Sequence, residues 1–317
     1  MSARAWRAVP HLARFSVCAL ISCVLGSPAA RAQGEGARAF ELAPAGSRLL
    51  SVYGEVARGN ASFDPGSVTP GSQIDVDGGI FEYSHGVGLR GHAVVLDVSL
   101  PVGQSRGSIE AGGVARSYTS SGIGDLQISG VFGLIGSPAL PEKEYESYRP
   151  RFALSVLSRV YAPTGAYDRN SRVNLGQNRW ALQLGLPSAC YLGQSFFDPA
   201  LTSFELLPSV IWYGDNNEPS QGNHSSQSPL LQLEAHVTRN LNSSLWVSVD
   251  AIFMDGAETT IDGVNQHDRQ RSFDLGATVS VAVTDTVSAT LSYTEAVSRN
   301  YDGVSAHVVR VVAAFSL

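Results

Sequence analysis

The sequence predicts an all-β protein: an antiparallel transmembrane β-barrel of about 12 strands that follows a cleaved signal peptide. Three observations predict it. Apolar and polar residues alternate with a period of two near the carboxyl end, the polar positions hold small side chains, and the chain begins with an export signal. Long charged side chains are scarce, and Lys143 is the single lysine in 317 residues.

The alternation is clearest over residues 271–294. A period of two places alternate side chains on opposite faces of a strand, so this stretch predicts two strands that are each apolar on one face. Residues 284–286 form the turn between them. The apolar positions are Phe273, Leu275, Ala277, Val279, Val281, Val283, Val287, Ala289, Leu291 and Tyr293.

The polar face of these strands separates two fold classes. It consists almost entirely of serine, threonine and glycine. A soluble β-sandwich would turn that face to water and would carry more lysine, glutamate and arginine there. An apolar exterior around a finely polar interior is what a membrane barrel requires, so the sequence favours the barrel and keeps the β-sandwich as the alternative.

The first residues have the pattern of a secretory signal peptide. Arg4, Arg7 and Arg14 precede a short apolar run at 15–26, and an Ala-Arg-Ala cleavage site ends at residue 32. A lipoprotein box ending at Cys23 is the alternative, although the apolar run continues beyond it. We expect three parts: a signal peptide at 1–32, a short periplasmic segment at 33–46 and the barrel at 47–317.

Charge and cysteine content exclude several function classes. Removal of residues 1–32 takes away four arginines and no acid, which leaves 18 basic and 28 acidic residues and a net charge of −10. Such a chain has no basic surface for nucleic acid. Cys190 is then the last cysteine, so an internal disulfide and a C-x-x-C metal site are both excluded. We expect no cofactor and no metal.

Twelve segments of about ten residues can be placed along the chain, which is the length that a tilted strand needs to cross a bilayer. They are approximately 47–58, 73–84, 89–101, 126–136, 150–161, 179–190, 204–213, 229–239, 244–254, 271–283, 287–296 and 304–317. In the second segment, 73–84, the sequence does not show which side chains face lipid and which face the lumen. In the third segment Val94, Leu96, Val98 and Leu100 are predicted to face lipid.

Short and long connections alternate between these segments. The short ones are 85–88, 240–243 and 284–286, and the long polar ones are 59–72, 102–125, 162–178, 214–228 and 255–270. Bacterial outer-membrane barrels have this asymmetry, with short periplasmic turns and long external loops. We expect 102–125 or 214–228 to fold into the lumen. Connections 137–149 and 191–203 are long although they fall on the periplasmic side.

The last strand ends at the carboxyl terminus with Phe315 and Leu317 on its apolar face. This resembles the assembly signal of outer-membrane proteins, although the terminal residue is leucine rather than an aromatic. Outer-membrane lipid and the barrel-assembly machinery are therefore the expected partners.

Two motifs add a resemblance to a known family. Residues 122–126 read Gly-Ile-Gly-Asp-Leu, and residues 162–168 read Ala-Pro-Thr-Gly-Ala-Tyr-Asp, followed by Val-Asn-Leu-Gly-Gln-Asn-Arg-Trp at 173–180. As an ordered pair they resemble the MetA-pathway of phenol degradation family of outer-membrane transporters, most clearly over 85–190. The resemblance implies a channel for small, aromatic or hydrophobic molecules, and it is the source of that solute class.

Charged residues at inward positions are the candidate lumen-lining residues. A charge on the lipid face would cost about 2–4 kcal/mol at mid-depth, so these side chains are expected to point inward. Ion pairs that hold the barrel rigid are one role, and lining a permeation path is the other. The residues are Asp97, Arg151, Arg159, Glu205, Glu234, His236, Asp250, Asp274 and Arg310.

Other motifs have simpler explanations. Residues 86–91 match G-x-G-x-x-G, but they join two strands and no helix follows, so a hairpin is predicted instead of a dinucleotide site. Glu234 and His236 lie two residues apart on one strand face, which is compatible with a proton relay, yet no nucleophile accompanies them. A lipase-like or protease-like barrel enzyme and a structural or adhesive barrel are the alternatives to the channel.

Overall fold

The structure is a computed structural model, and it describes residues 34–317 except 42, 61–67, 69–71 and 112–113. The predicted signal peptide lies outside the described residues. The chain forms a closed antiparallel barrel of twelve strands, so the predicted fold class and strand number are confirmed. No helix in the described part is long and apolar enough to cross a bilayer.

The barrel is closed by pairing between sequential neighbours and by pairing of the last strand with the first. Two barrel strands are each interrupted, so that fourteen elements make twelve strands. The elements are β1 (Arg48–Gly59), β2 (Gln73–Leu89), β3 (His92–Ala111), β4 (Val114–Ile123) continued by β5 (Leu126–Ile135), β6 (Phe152–Ala162), β7 (Ala181–Gly185) continued by β8 (Ser188–Leu192), β9 (Thr202–Tyr213), β11 (Leu230–Asn240), β12 (Leu245–Gly256), β15 (Gln270–Ala282), β16 (Val287–Arg299) and β17 (Ala306–Ser316).

The remaining elements lie in connections. A small sheet of β10 (Ser225–Gln227), β13 (Thr259–Ile261) and β14 (Val264–Asn265) stands at the end of the barrel that has the long loops. The short helix α1 (Glu142–Ser147) lies at the opposite end, together with the turns at 90–91, 241–244 and 283–286. By the rule of short periplasmic turns, the end with α1 is the periplasmic one.

The hairpin between β2 and β3 differs from the prediction. The turn is Arg90–Gly91 rather than 85–88, because both residues have positive φ (51° and 85°), which a two-residue hairpin turn of type I′ requires. Residues 86–91 thus form the end of a hairpin.

Residues 102–125 are also different from the prediction. They were expected to be a loop, but β3 continues to residue 111 and pairs with β4 along its whole upper part. The stretch is rich in serine and glycine and has no apolar face, so the sequence shows no alternation that would indicate a strand. The backbone nevertheless pairs, and the two strands extend the barrel wall. Connections 136–151 and 193–201 are long turns at the periplasmic end.

The predicted facing agrees with the exposure of most side chains, although Val94 of β3, which was predicted to face lipid, is buried. On β15, Phe273, Leu275 and Val279 are exposed on the outer surface, whereas Ser272, Thr278 and Ser280 are buried inside. On β3, Leu96 and Val98 are exposed and Ser99 is buried. Apolar residues therefore meet lipid, and the small polar face lines the lumen.

Candidate functional site: the barrel lumen

The periplasmic half of the lumen is polar. Inward positions on neighbouring strands hold hydroxyl, amide and charged groups, because every second residue of each strand is small or polar. This half encloses a cavity of about 610 Å³. Its walls include Ser51, Tyr53, Glu82, Ser84, Asp97, Arg159, Trp246, Thr278, Ser280, Thr290, Ser292 and Arg310.

The amino-terminal segment, residues 34–41, lies inside this polar half rather than below it in the periplasm. The Glu35 carboxylate accepts two hydrogen bonds from the Arg159 guanidinium, one of them 2.9 Å long. The Glu35 N–H donates to Glu234 at 2.9 Å, and Arg310 donates to the Gly34 carbonyl at 2.9 Å. The segment is therefore attached to three separate strands at mid-height.

Arg38 attaches the same segment closer to the periplasmic end. Its N–H donates to the Glu205 carboxylate at 2.7 Å. Its guanidinium donates to Thr238 and Asn240 at 3.0 and 2.7 Å and lies 4.8 Å from the centre of the Trp246 ring. Arg38 has a positive φ of 64°, which turns the chain tightly enough to place it here. Hydrogen bonds with one charged partner are stronger than those between neutral groups, so these contacts hold the segment in place.

Burial shifts the pKa of Glu41, which follows this turn. Desolvation by burial raises the pKa to about 7, against the opposing effect of the Arg38 guanidinium 3.7 Å away, and the nearby Glu205 adds to the rise. Protonation of Glu41 therefore favours the docked segment.

The extracellular half of the lumen is closely packed, and buried polar side chains such as Gln232, Ser272 and Asp274 lie in it. Its inward apolar side chains form two buried clusters. Their members are Ala57, Ile74, Val76, Val173, Leu175, Ile211, Leu230, Ile252, Met254, Ala257, Val304, Ala306 and Val308. On the inward face of β11, only Leu230 at the extracellular end is apolar, and Gln232, Glu234, His236, Thr238 and Asn240 follow it towards the periplasm.

The connection between β6 and β7 folds into this half. Val173 and Leu175 come from that connection, and they pack against Ala57, Ile74 and Val76 of β1 and β2. The expectation that 102–125 or 214–228 would fold inward is thus wrong for 102–125, which is a hairpin, and the segment 163–180 takes that place.

Asp125 holds the folded connection, and it explains why the two sequence motifs occur together. Asp125 lies in the interruption between β4 and β5 and is buried. Its two carboxylate oxygens accept the N–H groups of Gly165 and Gln177, each at 2.8 Å. Gly165 and Gly176 touch so closely that a Cβ on either would meet the backbone of the other at 2.7 Å. Each motif therefore supplies half of one clamp.

Most of the candidate lumen-lining residues lie in the polar half. Asp97 accepts from Ser129 at 3.0 Å, and Arg310 donates to Glu55 at 2.9 Å. Arg159, Glu205 and Glu234 hold the amino-terminal segment, as described above.

Three candidates have other surroundings. Asp274 is buried higher in the barrel, and neither carboxylate oxygen has a hydrogen-bond partner. Arg151 precedes β6 and is exposed. His236 lies between two acids: Nδ1 is 2.8 Å from Asp250, and Nε2 is 3.6 Å from Glu234.

Sequence reasoning missed several residues of the lumen. Glu55 follows Ser51 and Tyr53 with a period of two, so the first strand did carry a signal for it. Glu82 lies in the segment whose facing was ambiguous. Glu35 and Arg38 belong to no strand, and no periodic pattern could have placed them.

The amino-acid sequence of this chain matches a known family. A sequence model described as "Putative MetA-pathway of phenol degradation" matches residues 58–308, most of the chain. The chain belongs to this family. The family resemblance inferred from the two motifs is therefore confirmed. No protein among those with curated functions matches the sequence.

A solved outer-membrane channel has the same fold. The COG4313 outer membrane channel from Pseudomonas putida F1 superimposes with a TM-score of 0.72 at 19% identity, over 89% of this chain and 99% of that one. The translocator domain of the autotransporter NalP from Neisseria meningitidis is more distant, with a TM-score of 0.47 at 10% identity, over 96% of this chain and 95% of that one. The first similarity establishes the outer-membrane barrel fold.

Proposed function

We propose that this protein is a passive channel of the bacterial outer membrane for small hydrophobic or aromatic molecules. The observation that carries the proposal is the change of the lumen along its length, from an extracellular half with two buried apolar clusters to a periplasmic half with a polar cavity. Transfer of an apolar solute from water to an apolar interior has a favourable free energy. The polar cavity then connects that interior with the water of the periplasm. The family description, which refers to phenol degradation, supports the same solute class.

Both halves are closed in this structure, and each closure consists of the chain's own residues. Residues 34–41 occupy the polar half, and Val173 and Leu175 fill the apolar half. A channel that is closed at rest retains small ions while it admits solutes that displace these segments. Passage therefore requires movement of residues 34–41 and of the connection 163–180.

Uptake by whole cells tests the proposal. Bacteria that lack other routes for the solute would be compared with and without this protein, using a labelled aromatic hydrocarbon and a pentose of similar size. We expect faster uptake of the aromatic compound and unchanged uptake of the sugar, because the apolar half excludes water. An equal gain for both solutes would indicate a general porin, and no gain for either would refute the channel.

A catalytic role is not supported by the surroundings of His236. A general base needs a nucleophile within hydrogen-bond reach of a ring nitrogen. Both ring nitrogens of His236 face carboxylates instead, those of Asp250 and Glu234. We propose that this group is a structural network, and we expect the purified barrel not to hydrolyse p-nitrophenyl esters.

We also propose that residues 1–32 are removed on export and that β17 is recognised by the barrel-assembly machinery. The support is the position of β17, which pairs with β1 and β16 and so completes the wall. Deletion of residues 315–317 should lower the amount of folded barrel in the outer membrane, measured by heat-modifiable mobility on gels. Unchanged folding would exclude this strand end as a signal.

A further inference from the structure

Asp274 is an inward acid of the barrel that the described contacts leave without a counter-charge. Its carboxylate is fully buried, and neither oxygen has a hydrogen-bond partner among the described residues. Its cross-strand neighbours are Ile252 on β12 and Ala296 on β16, whose side chains cannot hydrogen-bond. Ser272, two residues along the same face, offers a hydroxyl but no charge. Burial of an ionised carboxylate is costly without a paired cation, so this position needs one.

The described cations around the middle of the lumen already have carboxylate partners. The pairs are Arg38 with Glu41, Arg159 with Glu35, Arg310 with Glu55, and His236 with Asp250 and Glu234. Two further acids, Glu82 and Asp97, accept hydrogen bonds from Tyr53 and Ser129. Carboxylates therefore outnumber cations among these described side chains, and Asp274 is left without one.

The first described residue, Gly34, brings the chain to the wall beside Asp274. A Cβ on Gly34 would lie 2.5 Å from Cδ1 of Ile252, the register partner of Asp274, and 2.9 Å from a carboxylate oxygen of Glu234. The segment rises from Arg38, near the periplasmic end, to Gly34 at mid-height, so the residue before Gly34 continues towards the extracellular side.

The backbone nitrogen of residue 33 is within reach of the Asp274 carboxylate. Consecutive Cα atoms are about 3.8 Å apart, so this nitrogen lies within about 5 Å of the Gly34 Cα. Side chains that face each other across two strands have Cβ atoms about 5 Å apart, which is the separation expected between Ile252 and Asp274. A chain that touches Ile252 at Gly34 can therefore place the preceding nitrogen against Asp274.

We propose that the α-ammonium group of Gln33 pairs with Asp274 in the mature protein. This inference rests on the proposed removal of residues 1–32, because that cut converts a neutral amide nitrogen into a cation with three N–H donors. The precursor has no charge at this position, so the pair forms only after export and processing. The amino-terminal segment is then fixed in the lumen by its own terminus, in addition to Glu35 and Arg38.

The chain carries its own reference for a test, because Lys143 is the single lysine of the sequence and is exposed on α1. An acetylating N-hydroxysuccinimide ester, which reacts with unprotonated amines, therefore has two amines to modify in the mature barrel. An exposed α-amine loses its proton more readily than a lysine side chain and normally reacts first. We expect Lys143 to react first in the folded parent, since a paired and buried α-ammonium keeps its proton. Peptide mass spectrometry measures both products.

Asp274→Asn removes the charge and keeps the size of the side chain. We expect it to raise the ratio of α-amine to Lys143 acetylation about tenfold, because an ammonium without its counter-charge releases its proton more readily. Asp285→Asn is the matched control, since it makes the same change in an exposed periplasmic turn, and its ratio should equal that of the parent. An unchanged ratio in Asp274→Asn would show that burial alone protects the amine and would overturn the pairing.

A second variant decides the question if Asp274→Asn does not fold. One additional alanine after residue 32 leaves the barrel sequence intact and moves the α-amine one residue away from Asp274. Its α-amine should be acetylated before Lys143, and protection equal to that of the parent would overturn the pairing.

The intact mass of the mature chain separates this inference from the proposed cleavage. A chain that begins at any residue other than Gln33 overturns both. A chain that begins at Gln33 and reacts first at its α-amine overturns the pairing alone. Cyclisation of Gln33 also overturns it: the amine bonds to the side-chain carbonyl carbon, the amide nitrogen leaves as ammonia, and the resulting lactam has no charge for Asp274.

Discussion

The two halves of the lumen are closed in different ways, although the same strands run through both. In the periplasmic half the closing segment, residues 34–41, is attached by ion pairs and hydrogen bonds to inward side chains. In the extracellular half the closing segment, residues 163–180, is attached by apolar packing and by a clamp at Asp125. The difference implies that charge controls one closure and hydrophobic packing controls the other, so the two can be opened separately.

The largest expected effect is in the polar half. Glu35→Gln leaves Arg159 without its carboxylate, and removal of one partner of this largely buried ion pair costs about 3 kcal/mol. Residues 34–41 should then leave the lumen. A cysteine at Ala37, in a Cys190→Ser background, should react much faster with a water-soluble maleimide. Glu146→Gln, an exposed acid on α1, is the control. Equal labelling in both variants would show that the ion pair does not hold the segment.

The apolar half can be tested by one inward leucine. Leu230→Ser places a hydroxyl in a fully buried apolar cluster, and we expect a loss of about 2–5 kcal/mol of stability. We also expect larger potassium conductance in planar bilayers, because water enters a less apolar constriction. Leu231→Ser is the matched control, since Leu231 is the next residue and is 44% exposed to lipid. A conductance that rises equally in both variants contradicts a hydrophobic barrier at this level.

A smaller effect is expected at the clamp. Asp125→Ala removes the acceptor of two N–H groups, and we expect the connection 163–180 to lose about 2–3 kcal/mol of attachment. Trypsin should then cut after Arg169 or Arg172, which are exposed in the connection. Asp285→Ala, in an exposed periplasmic turn, should leave the digestion pattern unchanged. Resistance of the Asp125 variant would mean that apolar packing alone suffices.

The smallest effect is the pH dependence of the polar closure. The pKa of Glu41 is raised from its ordinary value of 4.5 to about 7, so the docked segment binds the proton more tightly than the free one. Docking is therefore strongest below pH 4.5 and weakens as the pH rises to about 7. Between pH 6 and pH 8 we expect about 1 kcal/mol of weaker docking, read as faster labelling of the cysteine at Ala37 relative to a fully exposed reference cysteine, which corrects for ionisation of the thiol. The Glu41→Gln variant should lose this dependence, and a Glu41→Gln variant that keeps it would identify another group.

Sequence periodicity predicted the wall because each barrel strand touches lipid on one side along its length. Wherever the chain crosses the membrane, the outward residues of β3, β12 and β15 had to be apolar, so a period of two was visible without any tertiary contact. Outside the membrane the outward side chains do not contact lipid, so the alternation of apolar and polar residues ends there. Above the membrane, β3 and β4 pair through serine and glycine, and the strand pattern disappeared although the backbone pairing continued.

The sequence by itself thus determined the barrel, its strand number, the direction of its faces and the family, since all of these follow from local alternation and from two motifs. Only the tertiary structure decided what fills the lumen. The contacts of Glu35 with Arg159, and of Val173 with Ile74, join residues that are far apart in the chain and belong to no repeating pattern. Such contacts depend on which strands face each other across a closed barrel, and that information exists only once the wall has formed.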